Sequence, residues 1–336
     1  MAWLSRPDCS LVVGHGPFQE SATPPENGVA FYVQDFALKQ SRPWKIPATS
    51  EIIENHESFS RRFSLTDDAP WQWQPVDAVP FSLVFQEIMA AIRSGMFEKT
   101  VPVVTEFTHS ETDPRARLIS AMAGQKPPLL SYGWVLRDEG FCGATPELLF
   151  SLHNRHLRTM ALAGTARAED REVFEVDEKE IREHEYVAQT LVSKLFDFGQ
   201  LTRQRREILD LGSIVHFLTL IDVELHQEQS PEDLIRRLHP TPALGPLPRN
   251  DVTLGMLLKW REQLQCPAEF GAPFGLWEDG RFHSIVAIRG IWWQQNRILL
   301  PAGCGIIEAS RLVNEWRELR LKRESVKHFL LSAPRH

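Results

Sequence analysis

Apolar residues recur at helical spacing from Phe81 to Met96, where Phe81, Val84, Phe85, Ile88, Ile92 and Met96 share one face and Gly95 marks the end. The pattern predicts a helix with one buried side. From Lys99 to Phe107 the period changes: Val101, Val103, Thr105 and Phe107 alternate with their neighbours, and Lys99 shares their parity. A strand is expected there, and Pro102, which has no N–H to donate, makes it an edge strand or leaves that position unpaired. Two hairpins follow, SYGWVLR with FCGATPE about Asp138-Glu139-Gly140, and LLFSL with LRTMAL about His153 to His156. Beyond Gly164-Thr165 the chain is highly charged up to Asp177, and Glu178 to Phe196 then carries Ile181, Val187, Ala188, Leu191, Val192 and Leu195 on one helical side. Ile214 to Leu225 reads as a strand. Ser230-Pro231-Glu232-Asp233 is a helix start, with a Ser cap, proline at the first helical position and an acid in the first turn. A helix near Val252 to Leu264, strands from His283 to Ile291 and Ile298 to Pro301, the loop AGCG and a last helix from about Leu312 complete the pattern. Hairpins and helices without regular strand–helix alternation predict an α+β fold.

Composition narrows the function. The 336 residues carry a formal charge of −7, and the basic run Arg203 to Arg206 is short and flanked by acids, which argues against a nucleic-acid partner. No apolar run approaches a membrane span, and MAWLSRPDCS lacks the charged and apolar regions of a leader, so no membrane association and a cytoplasmic location are expected. Cys9, Cys142, Cys266 and Cys304 form no CxxC pair, so reduced thiols are expected. The stretch from Pro43 to Pro80 is the best candidate for a boundary, although Trp71 and Trp73 within it favour packing onto a body.

The acids and one lysine attract attention next. Glu183 in EKEIREHE, and Glu315 and Glu318 in NEWREL, read by charge pattern as solvated helix faces. Acids from two different helices can equally hold Mg²⁺, a hard cation that takes carboxylates and keeps waters. Lys99, on a strand among apolar neighbours, suits a general base, since burial lowers a lysine pKa; the competing reading is a charge that guards a sheet edge. Glu147 after Pro146 reads as a strand-end carboxylate, and His216 and His239 as structural histidines. AGCGII, with only Gly303 and Gly305, lacks the third glycine and the acid of a dinucleotide site.

Taken in order, KTVPVV, FCGATPELLF, MALAGTARA, DEKEIREHEYV, VHFLTL, LHPTPALGPLP, FGAPFGLW, VAIRG and AGCGIIEASRLVNEWRELRLK resemble the successive signature segments of the chorismate-utilising enzymes. That family includes isochorismate synthase, salicylate synthase, and component I of anthranilate and aminodeoxychorismate synthases. The resemblance implies an anthranilate synthase component I-like α+β fold, a β-sandwich core flanked by helices. It implies one chorismate-binding domain over residues 1–336, of which 1–75 are divergent and 81–330 family-like. It also implies chorismate as substrate and Mg²⁺ as cofactor, with Glu183 and Glu318 as ligands and Glu315 supporting the metal through water. Arg289 and Lys322 would face substrate carboxylates, with Gly303 and Gly305 presenting loop amides. Ala163, Gly164, Thr165, His216, Ala243 and Leu244 would complete the substrate pocket. Lys99 falls on the lysine that activates water for attack at C2, and Glu147 on the acid that protonates the departing C4 hydroxyl.

Ala163 stands where aminodeoxychorismate synthases usually carry a nucleophilic lysine, so water or ammonia must be the nucleophile. Ala243-Leu244 resembles isochorismate synthases most closely. The chain departs from the family pattern at Pro102, Val104, Phe217, Pro246 and in EKEIREH. An isochorismate synthase acting as a monomer without a glutaminase partner is expected. Salicylate synthase, an amination subunit of the anthranilate or aminodeoxychorismate type, and a chorismate-binding pseudoenzyme stand as alternatives.

Overall fold

The computed structural model describes residues 1–6, 8, 10–63 and 71–331. Cys9, and part of the proposed boundary near Pro43 to Pro80, lie outside the described residues. In chain order the elements are β1 (Ala2–Ser5), β2 (Leu11–Ser21), β3 (Val29–Val33), β4 (Trp44–Ile53), α1 (His56–Ser60), α2 (Ala78–Arg93), β5 (Lys99–Thr100), β6 (Val103–His109), α3 (Arg115–Ala123), β7 (Leu130–Leu136), β8 (Glu139–Thr145), β9 (Leu148–His153) and β10 (His156–Arg167). They continue with α4 (Arg171–Glu175), α5 (Glu178–Leu195), β11 (Gly199–Arg203), β12 (Glu207–Asp210), β13 (Ile214–Leu225), α6 (Pro231–Leu238), α7 (Asp251–Gln263), β14 (Pro273–Glu278), β15 (Arg281–Val286), β16 (Gly290–Gln294), β17 (Arg297–Gly303), β18 (Ile306–Ile307) and α8 (Leu312–Leu331).

One antiparallel sheet runs in the order β11, β13, β10, β9, β15, β14, β3, β4, β2, β1, β7, β8, β16, β17, β6, with β12 also on β13. It bends back on itself, so that Tyr132 on β7 and Phe141 on β8 each pack 5.8 Å, ring to ring, from Phe274 on β14. Helices α5 and α6 cover the β10/β13 half through Val187, Leu191, Leu234 and Leu238. On the other half, Trp3, Ile291, Trp293 and Ile298 pack with Phe59 of α1, Met122 of α3 and Val326 of α8. The mixed, non-alternating architecture is the expected α+β fold.

Local chemistry explains the helix ends. The Asp77 side chain caps α2 by accepting from Val79 N, and Gly95, at φ +77°, lets the chain turn away after it. Asp177 accepts from Glu180 N to start α5, and Ser230 accepts from Asp233 N to start α6 with Pro231 in its first turn. A reciprocal Asn250–Thr253 capping box opens α7. Fully burying a leucine such as Leu191 contributes about 1.5–3 kcal/mol, so the apolar face of α5 outweighs its polar length.

Three expectations change. The Lys99 to Phe107 strand is two strands: Val101-Pro102 break it, β5 pairs with β18, and β6 alone joins the large sheet, as an edge strand. The His283 to Ile291 strand is likewise divided, because Arg289 adopts φ +54° between β15 and β16. The Pro43 to Pro80 boundary is displaced, because β4 begins at Trp44 and pairs with β2 and β3. The later part of that stretch lies along the β6 edge, where Gln74 N donates to Phe107 O (3.0 Å) and Thr108 Oγ1 to Gln72 O (2.7 Å). That contact covers the exposed edge and holds Trp71 and Trp73 against the body. Cys142, Cys266 and Cys304 are free thiols. No described helix is long and apolar enough to cross a membrane.

Candidate active site

A cavity enclosing about 650 Å³ of atom-free space, open to solvent, lies where the β10/β13 half of the sheet meets β17 and α8. Among the residues singled out from the sequence, Glu147, Ala163, Gly164, Thr165, Glu183 and His216 line one part of it. Ala243, Leu244, Arg289, Gly303, Gly305 and Lys322 line the rest. Lys99, Glu315 and Glu318 stand outside this lining. Lys99 is fully buried behind Glu183, while Glu315 and Glu318 border an adjoining polar opening at the N-terminal ends of α5 and α8.

Backbone irregularities set the wall. The β10–β13 register slips between Ala163 and Ala166, and Gly164 takes φ +78° within that bulge. Glycine adopts this conformation without steric cost, and the bulge aims its carbonyl inward. His216 Nδ1 lies 2.7 Å from that carbonyl and 3.2 Å from Thr165 Oγ1, while His216 Nε2 lies 2.9 Å from Arg289 Nη2. Arginine can only donate, so the network assigns the proton to Nδ1, which donates to Gly164 O, and Nε2 accepts from Arg289. Burial, then the charges of Arg289 and Lys322, push the His216 pKa well below its ordinary value, which keeps the ring neutral as this arrangement requires. His216 thus lies in the cavity wall, where the family resemblance placed it; His239, whose Nε2 bonds Phe36 O at 2.8 Å, is the structural histidine of the two.

Arg289 is held from the other side by Ser325 Oγ, which accepts from Nη1 at 2.8 Å. Among the described residues no carboxylate lies within ion-pair distance of Arg289, and burial lowers its pKa to about 10 against the attraction of Glu318 and Glu147. A buried guanidinium at positive φ with only neutral partners has donors and charge available to an anion. Lys322 adds a second cation, donating to Gly303 O at 2.8 Å and pairing with Glu318 at 2.6 Å. Gly303, expected in a loop, is the last residue of β17, and its carbonyl accepts from Lys322.

Glu147 sits between β8 and β9, its backbone fixed by Val286 N donating to its carbonyl at 3.0 Å. Burial raises its carboxyl pKa to about 7, although Lys99, Lys322 and Arg289 pull the other way. It therefore retains its proton through mildly acidic pH. Lys99 has the complete burial expected of it, and its strand is held by Leu247 O and N and by Ile307. It is not alone there: Glu183 Oε1 lies 3.1 Å from its Nζ. A Cβ at Gly305 would overlap that same Glu183 oxygen and lie 2.7 Å from Lys99 Cε. Gly305→Ala is accordingly expected to displace Glu183 and cost roughly 10²-fold in kcat/KM, the penalty typical of an ångström-scale misplacement, while circular dichroism stays unchanged. Turnover within a few-fold of wild type would mean that the Glu183–Lys99 geometry is unimportant.

Four acids surround Lys179 at the start of α5. Its Nζ lies 2.8 Å from Glu180 Oε1, 3.3 Å from Glu183 Oε2 and 3.5 Å from Glu315 Oε1. Burial opposes the ammonium, but Glu183, Glu318, Glu315 and Glu180 outweigh it and raise the Lys179 pKa. Burial would raise the Glu183 pKa, yet Lys99, Lys179 and Lys322 hold it low; burial raises that of Glu315, with Glu318 and Glu183 adding to it against the pull of Lys179. The donor set suits a hard cation: carboxylates from two helices, with Glu315 Oε2 buried and unpaired. Among the described residues, no three His, Cys, Asp or Glu groups converge tightly enough to ligate one ion in this arrangement, in which Lys99, Lys179 and Lys322 are the carboxylates' partners.

The sequence reading passed over Ser325 and Lys179. Ser325 carries no chemical signature of its own, but its spacing of three from Lys322 puts both on one side of α8. Lys179 was visible only as part of a charge run.

With this geometry in view, the sequence profile of chorismate binding enzymes matches residues 41–331, and the chain belongs to that family. Among its relatives, isochorismate synthase EntC of Escherichia coli K12 is 26% identical over 304 residues, spanning 82% of this chain and 76% of EntC. Isochorismate synthase MenF of Bacillus subtilis is 30% identical over 206 residues, spanning 57% of this chain and 43% of its own length. The fold matches that of a putative 2,3-dihydroxybenzoate-specific isochorismate synthase, DhbC, from Bacillus anthracis, with TM-score 0.81, 20% identity and coverage of 98% and 96%. Anthranilate synthase component I of Streptococcus pneumoniae matches with TM-score 0.69, 16% identity and coverage of 93% and 83%.

Proposed function

We propose that the protein is an isochorismate synthase, converting chorismate to isochorismate with Mg²⁺. The observation that carries this reading is the lining of one cavity by two cations, Arg289 and Lys322, beside a buried carboxylic acid, Glu147, whose pKa is raised to about 7. Chorismate presents two carboxylates to such cations and a ring hydroxyl to such an acid. Arg289, oriented by His216 and Ser325, and Lys322 orient the substrate. Lys99 takes a proton from water as its oxygen bonds C2; the ring double bonds shift, the C4–O bond breaks, and Glu147 protonates the departing hydroxyl. One water enters and one leaves, so the net reaction is an isomerisation. The carboxylates of Glu183, Glu315 and Glu318 would hold Mg²⁺, which when bound would neutralise their charge and polarise a substrate carboxylate. Ala163, having no nucleophile, leaves the attack to water.

Product analysis tests the reading: chorismate and Mg²⁺ should give isochorismate without ammonium, and EDTA should abolish it. Salicylate with pyruvate, or an amino product formed only with ammonium, would assign a sister activity; chorismate bound without turnover would make the chain a pseudoenzyme. The pH dependence offers a second check. Glu147 must be protonated to act as an acid, so kcat/KM should fall about tenfold per pH unit above a pKa near 7. A profile flat to pH 9 would remove Glu147 from that role.

A further inference from the structure

Lys179 occupies a place that the proposed chemistry has not used. Its ammonium lies within 3.5 Å of carboxylate oxygens from both α5 and α8, bridging Glu180, Glu183 and Glu315. It does so from the first turn of α5, where the helix dipole disfavours a cation, so the carboxylates are what hold it. Glu183 has an ammonium on each oxygen, Lys99 on Oε1 and Lys179 on Oε2, so a divalent cation ligated by Glu183 would sit beside one of these like charges and repel it. The two lysines differ in their freedom to leave. Lys99 is fully buried and pinned on β5. Lys179 keeps 21% of its side chain exposed and borders the adjoining opening, about 1500 Å³ of space that also reaches Glu180, Glu315 and Glu318.

We propose that Lys179 is the built-in counter-cation of the carboxylate cluster: it holds the acids assembled in the metal-free enzyme and swings into the opening when the divalent ion binds. The inference rests on the Mg²⁺ reading above. It makes metal binding an exchange of one cation for another, so Lys179 weakens metal affinity while stabilising the metal-free protein.

Mn²⁺ binding to the full chain, followed by electron paramagnetic resonance with Mg²⁺ as competitor, measures the exchange without reference to turnover. Lys179→Met should bind Mn²⁺ about tenfold or more tightly than wild type, because one opposing charge beside the site is gone. Its metal-free Tm should fall, and the deficit should close at saturating Mg²⁺. Affinity equal to or weaker than wild type would overturn the inference while leaving the metal reading intact. Absence of Mn²⁺ binding by both proteins would sink both readings; binding by the variant alone would support the exchange. Should Lys179→Met fail to fold, amine acetylation of the wild type read by peptide mass spectrometry decides the matter. Lys179 should label several-fold faster with saturating Mg²⁺, and an unchanged rate would contradict its release.

Discussion

Glu147→Gln is expected to lower kcat/KM for chorismate by about 10²- to 10⁴-fold, the usual contribution of a general acid, and at the same time to make the protein more stable at alkaline pH. The two effects share one cause. Burial raises the Glu147 pKa from 4.5 to about 7, so the folded state resists the ionisation that the unfolded chain accepts. A raised carboxyl pKa contributes stability that is complete below pH 4.5 and is lost as pH rises through about 7. Above that, the buried charge costs up to roughly 3 kcal/mol at about 1.4 kcal/mol per pKa unit. Gln keeps the shape and never ionises. The Tm of Glu147→Gln should therefore exceed that of wild type by a few degrees at pH 8 and match it at pH 5. Equal Tm values at both pH values, or activity within a few-fold of wild type, would remove the buried acid from the account.

Lys99→Ala is the second large effect, with an expected loss of about 10²- to 10⁴-fold in kcat. The Glu183 ion pair gives the variant a second effect, on stability. Removing one partner of a buried pair costs about 3–5 kcal/mol, because Glu183 would be left buried without its Lys99 counter-charge. Lys99→Ala should melt lower than wild type without metal and regain much of the difference in saturating Mg²⁺. Kinetics are therefore compared at saturating Mg²⁺, with Lys99→Gln as a better-filled variant. Activity within a few-fold of wild type in either variant would show that another group activates the water.

The site was more legible in the sequence than the fold around it. Segments such as LAGT, VAIRG and AGCG each contribute residues to one cavity, which twelve of the residues singled out from the sequence line, while the acids of NEWREL border the adjoining opening. Helix α6 was legible because its cap is a local event, a serine side chain bonding an amide three residues on, and α5 because its apolar side repeats along the chain. The strands β1 to β4 were not. They form the middle of the sheet and join its two halves, and such strands are specified by distant neighbours rather than by alternation along the chain. The breaks at Pro102 and Arg289 illustrate the same limit. Apolar residues continue through both, since Val101, Val104, Ala287 and Ile291 are all buried, so periodicity ran across a backbone that had turned. Nothing in the residue type of Arg289 signals φ +54°. Lys179 escaped notice because a charge run has one appearance whether its carboxylates face water or a second helix.

The exchange of oxygen at the ring is the most direct test. Chorismate turned over with Mg²⁺ in ¹⁸O-enriched water, stopped early, should give isochorismate carrying one ¹⁸O atom, located at C2 by fragment mass, while recovered chorismate at that point is unlabelled. Isochorismate formed without ¹⁸O would contradict attack by water and with it the roles assigned to Lys99 and Glu147.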